Sequence, residues 1–277
     1  MISFNFKYLR PSNIKEAIEV YGNLSRDGKK VLYYGGGTEI VTFARKQVIE
    51  VDAVIDIKSI GECRSLQQQG DRLVYGAALT LNEIIDSKSF PLFGAVLQAI
   101  ADHTVRNRLT LGGNICGRLP YREALLPLFL SDAEFVLAGE AGIRTVKCNE
   151  VYNKKLNIKK DEFLVQVAID RKYTDMDYHN LRRVKQGEVD YPLLHIAMIR
   201  DKGLKAAFSG VCAFPFKSDE IDRIINSDSE IKEKISAVIK ALPSTIKDDQ
   251  WASKGYRQML FEKALEKSIM TFGGDEI

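Results

Sequence analysis

Two glycine-rich segments carry the residues of this chain best suited to binding chemistry. One is Leu32-Tyr33-Tyr34-Gly35-Gly36-Gly37-Thr38-Glu39, the other Thr110-Leu111-Gly112-Gly113-Asn114. Glycine removes the Cβ that keeps a phosphate from the backbone, and successive N–H groups in a turn form a concavity that accepts anions. Thr38 adds a hydroxyl donor beside the first set of glycines, and Thr110 and Asn114 bracket the second. Two such turns suit a ligand with two phosphates held from two sides, as in a dinucleotide. The same glycines also suit tight turns, bulges and close strand packing, and spacing alone does not separate these readings. The tyrosine pair Tyr33-Tyr34 is likewise open between stacking on a ring of such a ligand and packing within a strand.

Other sites are disfavoured by spacing. Neither segment has the wider P-loop spacing with its Lys-Ser/Thr ending, and no G-x-G-x-x-G follows an apolar run. Cys63, Cys116, Cys148 and Cys212 lie far apart with no C-x-x-C pair, so no zinc site, iron–sulfur cluster or disulfide framework is expected. Cys116, two residues past Asn114, is the cysteine placed to lie near a ligand, or to pack as a plain hydrophobe. His103, His179 and His195 are too few and too separated for a metal site. No residue stands out as a catalytic acid, base or nucleophile.

An apolar strand at residues 30–34 delivers the first turn, followed by a short helix or apolar bend around Ile40, Phe43 and Ala44. Asn13 with Glu16 marks the start of a helix running to about Tyr21, and Thr80 with Glu83 repeats that capping signature before a helix at 81–85. Residues 51–57, 73–77, 134–138, 144–147 and 162–169 read as strands. Pro91 opens a helix that includes Ile100, and residues 102–107 lead into the second turn; residues 125–130 read as helical. A polar run at 171–177 sets a domain boundary near 172. Beyond it, 193–200 and 204–211 flank Asp201-Lys202-Gly203 as a hairpin, and helices follow at 231–242 and 253–269.

At 277 residues, 45% apolar and 28% charged, the chain has the composition of a soluble globular protein with room for two modest domains. Its 40 basic and 37 acidic residues are scattered and leave a net charge of +3, so neither nucleic acid nor an anionic membrane is an expected partner. No apolar run reaches membrane-spanning length and the first residues carry no apolar signal segment, which makes the cytoplasm the expected location.

Several motifs occur in a fixed order: Phe6-x-Tyr8-x-x-Pro11, Gly35-Gly36-Gly37-Thr38-Glu39, Gly76-Ala77-x-x-Thr80-x-x-Glu83, Arg106-Asn107-x-x-Thr110-x-Gly112-Gly113-Asn114, Pro120-x-x-Glu123 with Pro127 and Asp132-Ala133, and Ala252-Ser253-x-x-Tyr256-Arg257. In these the chain resembles, over nearly its whole length, the FAD-binding medium subunit of the molybdenum hydroxylases. That group holds bacterial xanthine dehydrogenases, aerobic carbon monoxide dehydrogenases and nicotinate dehydrogenases. The resemblance implies an α+β fold, with a vanillyl-alcohol-oxidase-type FAD-binding domain over residues 1–171 and a smaller sheet-and-helix domain over 172–277. It implies noncovalent FAD contacted by residues 32–39 and 110–114, with 34–38 and 110–114 against the pyrophosphate, and Ile100, Glu123, Leu164 and Arg183 as further cofactor-binding residues.

The same resemblance implies an iron–sulfur small subunit and a molybdopterin large subunit as partners, in a dimer of heterotrimers. Electrons would pass from the iron–sulfur subunit through FAD to NAD or another acceptor. A self-contained flavin oxidoreductase and a non-catalytic nucleotide-binding assembly module are the alternatives. Two features depart from the family. Arg183, in Leu181-Arg182-Arg183-Val184, stands where a Lys is usual and offers a planar fork in place of a point charge. Gly117-Arg118-Leu119-Pro120-Tyr121-Arg122 is bulkier and more basic than the family segment, as suits a narrower site or a face turned to a partner.

Overall fold

Asn13, in extended conformation, accepts a hydrogen bond from the Glu16 N–H and so begins the helix Ile14–Arg26, which links two short parallel strands. The computed structural model describes residues 2–185 and 190–273. It forms two compact units: Met1–Ser89, Asp102–Arg118 and Asp132–Arg171 in the first, and Phe90–Ala101, Leu119–Ser131 and Lys172–Ile277 in the second. Both mix helix and sheet.

Besides a two-stranded pairing of Tyr152–Asn153 with Lys155–Leu156, the described part of the first unit contains two larger sheets. Strands β1 (Lys7–Leu9), β2 (Val31–Tyr34) and β3 (Ala53–Asp56) pair in parallel with β3 in the middle, and all four β3 residues are buried. An unbroken apolar run ended by a single charge is what a parallel strand covered on both faces requires. The second sheet is antiparallel: β4 (Leu66–Gln69), β5 (Arg72–Gly76), β6 (Glu134–Gly139), β7 (Gly142–Lys147) and β8 (Phe163–Asp170), in the order β4-β5-β8-β6-β7. Thr80 and Glu83 form the expected capping box at the start of the helix Leu81–Ser87.

Sequence reasoning missed β4, because Leu-Gln-Gln-Gln is exposed throughout and shows no apolar alternation. The second glycine segment is more than a turn. Thr110 caps the helix Leu111–Cys116 by accepting from the Gly113 N–H, so both glycines are helical.

In the second unit β9 (Tyr178–Val184), β10 (Pro192–Arg200), β11 (Leu204–Ser209) and β12 (Phe216–Lys217) form an antiparallel sheet in chain order. β10 and β11 are the expected hairpin, with Ala197 opposite Ala207. One face of the sheet packs on the helices Asp219–Ile225, Ile231–Lys240 and Lys254–Gly273 through Ile196, Phe208, Ile221, Val238 and Phe261. Arg257 is fully buried, donating to the carbonyls of Leu193, Gly210 and Lys247 and to Asp249. The helices Pro91–Gln98 and Leu125–Leu130 belong to this unit although they precede Lys172 in the chain.

Candidate functional site

β2 ends at Tyr34 and releases the chain into Gly35-Gly36-Gly37, and the helix Thr38–Arg45 begins directly behind. Gly37 is the N-terminal cap residue, at φ 71°, and contributes no capping side chain. The first-turn N–H groups of an α-helix have no acceptor within it, so this end presents donors and the positive end of the helix dipole. Only glycine fits at Gly37 on two counts: the left-handed φ, and a Cβ there would stand 1.9 Å from the Tyr34 hydroxyl. Glu39, in the first helical turn, accepts from the Arg118 N–H at 2.6 Å.

The second segment directs its donors inward. The N–H groups of Leu111 and Gly112 donate to the carbonyls of Leu79 (2.9 Å) and Ala77 (2.8 Å), that of Gly113 to the Thr110 hydroxyl (3.1 Å), and that of Asn114 to the Thr110 carbonyl (2.9 Å). A Cβ on Gly112 would stand 3.0 Å from both the Cβ and the carbonyl oxygen of Ala77. The glycine at 112 therefore permits docking on the segment after β5.

The two glycine segments meet. A Cβ on Gly35 would lie 2.5 Å from the Thr110 hydroxyl, and one on Gly36 only 1.6 Å from the carbonyl oxygen of Arg108. Residues far apart in sequence are thus brought together within the first unit, the first loop with an uncapped helix end and the second as the wall against which it rests.

Sequence reasoning missed what lies beside the first loop. Asp56, the fully buried last residue of β3, accepts hydrogen bonds from the Tyr8 hydroxyl, from the Lys58 N–H at 2.9 Å and from the Lys58 ammonium at 2.9 Å. Lys58 Nζ also donates to the Gly35 carbonyl at 2.7 Å and sits 4.7 Å from the centre of the Tyr34 ring. Burial pushes the Asp56 carboxyl up, but the bonds from Lys58 and Tyr8 outweigh it and hold the group below its ordinary value. Donating to Asp56 raises the Tyr8 phenol to about 12. The available signal was a charged residue closing an otherwise apolar strand.

Tyr33 stacks on Tyr21 (5.1 Å between ring centres) and leans on Phe163 (4.4 Å), and its hydroxyl donates to the Asp161 carbonyl. The Tyr33 ring is thus packed between these neighbours within the first unit. Leu32 is exposed, and Leu164 is buried opposite Leu137, where the β8 register shifts. Cys116 is exposed, while Cys63, Cys148 and Cys212 are buried.

Ile100, Glu123 and Arg183 belong to the second unit. Ile100 is buried, just past the end of its helix. Glu123 is buried too: Oε1 takes hydrogen bonds from Arg182 Nε (2.7 Å) and His195 Nδ1 (2.7 Å), and Oε2 one from Arg182 Nη2 (3.4 Å). Burial raises the Glu123 carboxyl, yet His195 and Arg182 together keep it below the ordinary carboxylate value. Asn180 Oδ1 faces the other ring nitrogen of His195 at 2.7 Å. Arg183 is exposed and donates to the Arg182 carbonyl at 3.3 Å. Among the described residues no group of His, Cys, Asp and Glu is arranged to hold a metal, and no helix is long and apolar enough to cross a membrane.

Comparison with known proteins gives a consistent pattern. The family described as FAD binding domain in molybdopterin dehydrogenase matches residues 4–171. The carbon monoxide dehydrogenase medium chain of Hydrogenophaga pseudoflava is 29% identical over 191 residues, 66% of either chain. The xanthine dehydrogenase FAD-binding subunit of Escherichia coli O157:H7 is 27% identical over 170 residues, 58% of this chain and 57% of that one. The nicotine 6-hydroxylase medium subunit of Paenarthrobacter nicotinovorans is 22% identical across 96% of this chain and 97% of its own. The aligned chain thus spans just under two thirds of the first of these relatives and little more than half of the second. Among solved structures, the carbon monoxide dehydrogenase of Hydrogenophaga pseudoflava lacking the Mo-pyranopterin moiety superimposes with a TM-score of 0.86 at 22% identity, over 98% of both chains, a likeness of fold.

Proposed function

The chain belongs to the family of FAD binding domains in molybdopterin dehydrogenases, and from that premise we propose that it is the electron-transfer flavoprotein subunit of a molybdenum hydroxylase. The observation that carries the proposal is the first loop: a strand end, three glycines and a helix whose N-terminus has no side-chain cap, resting on the second glycine segment. Those features fit a diphosphate, since glycines keep side chains out of its way and the helix end offers N–H donors without mobile cations. Gly36, Gly37 and Thr38 would hold the diphosphate. Thr110, Gly112 and Gly113 would keep the loop in position from behind.

When bound, FAD supplies the redox chemistry, passing electrons from an iron–sulfur subunit to NAD or another acceptor, while the protein supplies placement and electrostatics. The relatives named as medium chains and FAD-binding subunits support a place in an assembly with iron–sulfur and molybdopterin subunits. The purified full chain is expected to bind one FAD and to release it into the supernatant on acid precipitation. Expressed alone it should show little turnover with purines or aldehydes. Failure to bind added FAD would overturn the cofactor assignment, and robust hydroxylation by the isolated chain would overturn the subunit role.

A further inference from the structure

Lys58 bonds to the first of the two peptides of the glycine loop that glycine flanks on both sides. The Gly35-Gly36 peptide has no Cβ at either end, so little steric resistance opposes its turning over. Its carbonyl oxygen is held by Lys58 Nζ at 2.7 Å, and Lys58 is in turn held by both oxygens of the buried Asp56, at 2.9 and 2.8 Å. In a planar trans peptide the C=O and the next N–H point in opposite directions. Pinning the Gly35 carbonyl toward Lys58 therefore aims the Gly36 N–H away from Lys58 and Asp56. If the peptide turned over, a carbonyl dipole would take the place of that donor.

We propose that Lys58 is a positioning residue for diphosphate binding: through the Gly35 carbonyl it fixes the Gly36 N–H as a donor, with Asp56 as its anchor. This rests on the flavin-carrying role proposed above. Asp56 balances the charge of Lys58, so the effect runs through bond direction rather than net attraction. That distinguishes Lys58 from a phosphate-binding lysine that acts as a point charge.

The test is FAD and ADP titration of the purified full chain at low and high salt. Lys58→Met is expected to weaken FAD by about tenfold, the scale of one charge-assisted hydrogen bond. ADP, which carries the diphosphate without the flavin, should weaken by the same factor, and the loss should persist at high salt, where attraction between exposed charges is screened. Lys58→Arg, which keeps a donor, should recover most of the affinity. The double variant Lys58→Met/Asp56→Asn removes the buried charge that the single variant leaves unpaired, and the same loss is expected of it. Wild-type-like affinity in either Met variant, or a loss that disappears at high salt, overturns the proposal while leaving the flavin-carrying role intact. A wild-type chain that binds neither FAD nor ADP overturns both.

Discussion

The Cα of Gly36 faces the carbonyl oxygen of Arg108 so closely that a Cβ on Gly36 would stand 1.6 Å from it. The obstacle is backbone, which cannot rotate aside as a long side chain can. Gly36→Ala must therefore separate the two glycine segments. Overpacking of this kind costs about 1–3 kcal/mol, and FAD affinity should fall with it. Gly61, in the same unit, has nothing within 4 Å of its would-be Cβ. Gly61→Ala is the control, expected to change stability by less than about 0.5 kcal/mol. Urea unfolding and FAD titration of the two variants make the comparison, and equal behaviour would show that the segments are not in contact.

In the second unit Glu123 is committed to Arg182 and His195. Removing one partner of a buried ion pair leaves the rest uncompensated and costs about 3–5 kcal/mol. Glu123→Gln keeps the shape and deletes the charge, so its unfolding free energy, measured by urea titration, is expected to drop by an amount in that range and its midpoint to fall accordingly. A midpoint unchanged from wild type would mean that solvent reaches the cluster and that the pair carries little stability.

Two groups give the protein an acid-side loss of stability in separate windows. Burial, and then the charge of Lys267, lower the imidazole of His179 below its ordinary 6.5, and its Nε2 has no hydrogen-bond partner. Below 6.5 the unfolded chain takes up a proton at this position more readily than the folded one, so stability rises with pH across that window and levels off above it. Glu123, whose folded value is depressed, contributes stability that is present above its ordinary 4.5 and is lost as pH falls further. Urea midpoints followed from about pH 7.5 to about pH 5.5 should fall for wild type and fall less for His179→Leu. Identical slopes would remove His179 from the account.

Local signals were legible where the physics is local. Asn13 and Thr80 cap their helices as the spacing predicts, and Asp201-Lys202-Gly203 joins a hairpin. The glycine segments could be located, but the difference between them could not. Whether a helix start is left without a side-chain cap, as behind Gly37, or has its N–H groups spent on Ala77 and Leu79, as at Gly112 and Leu111, depends on which distant strand lies alongside. Lys58 was invisible for the same reason: its partner is the backbone carbonyl of Gly35, which carries no sequence signature. The helices Pro91–Gln98 and Leu125–Leu130 read correctly as helices, yet periodicity says nothing about which unit an apolar face will join.

Gly94 lies inside the helix Pro91–Gln98, and unlike Gly36 it has nothing within 4 Å of its would-be Cβ. Its φ does not fall in the left-handed region, so alanine can adopt the same backbone. Glycine in a helix interior gives up more conformational freedom on folding than alanine, a difference of about 0.5–1 kcal/mol per residue. With no contact to disturb and no strain to impose, that difference should appear almost in full. Gly94→Ala is therefore expected to raise the urea midpoint, and to leave FAD affinity unchanged because Gly94 belongs to neither glycine segment. A lowered midpoint would mean that this helix face is packed more tightly than the structure indicates, and a changed affinity that it reports to the cofactor site.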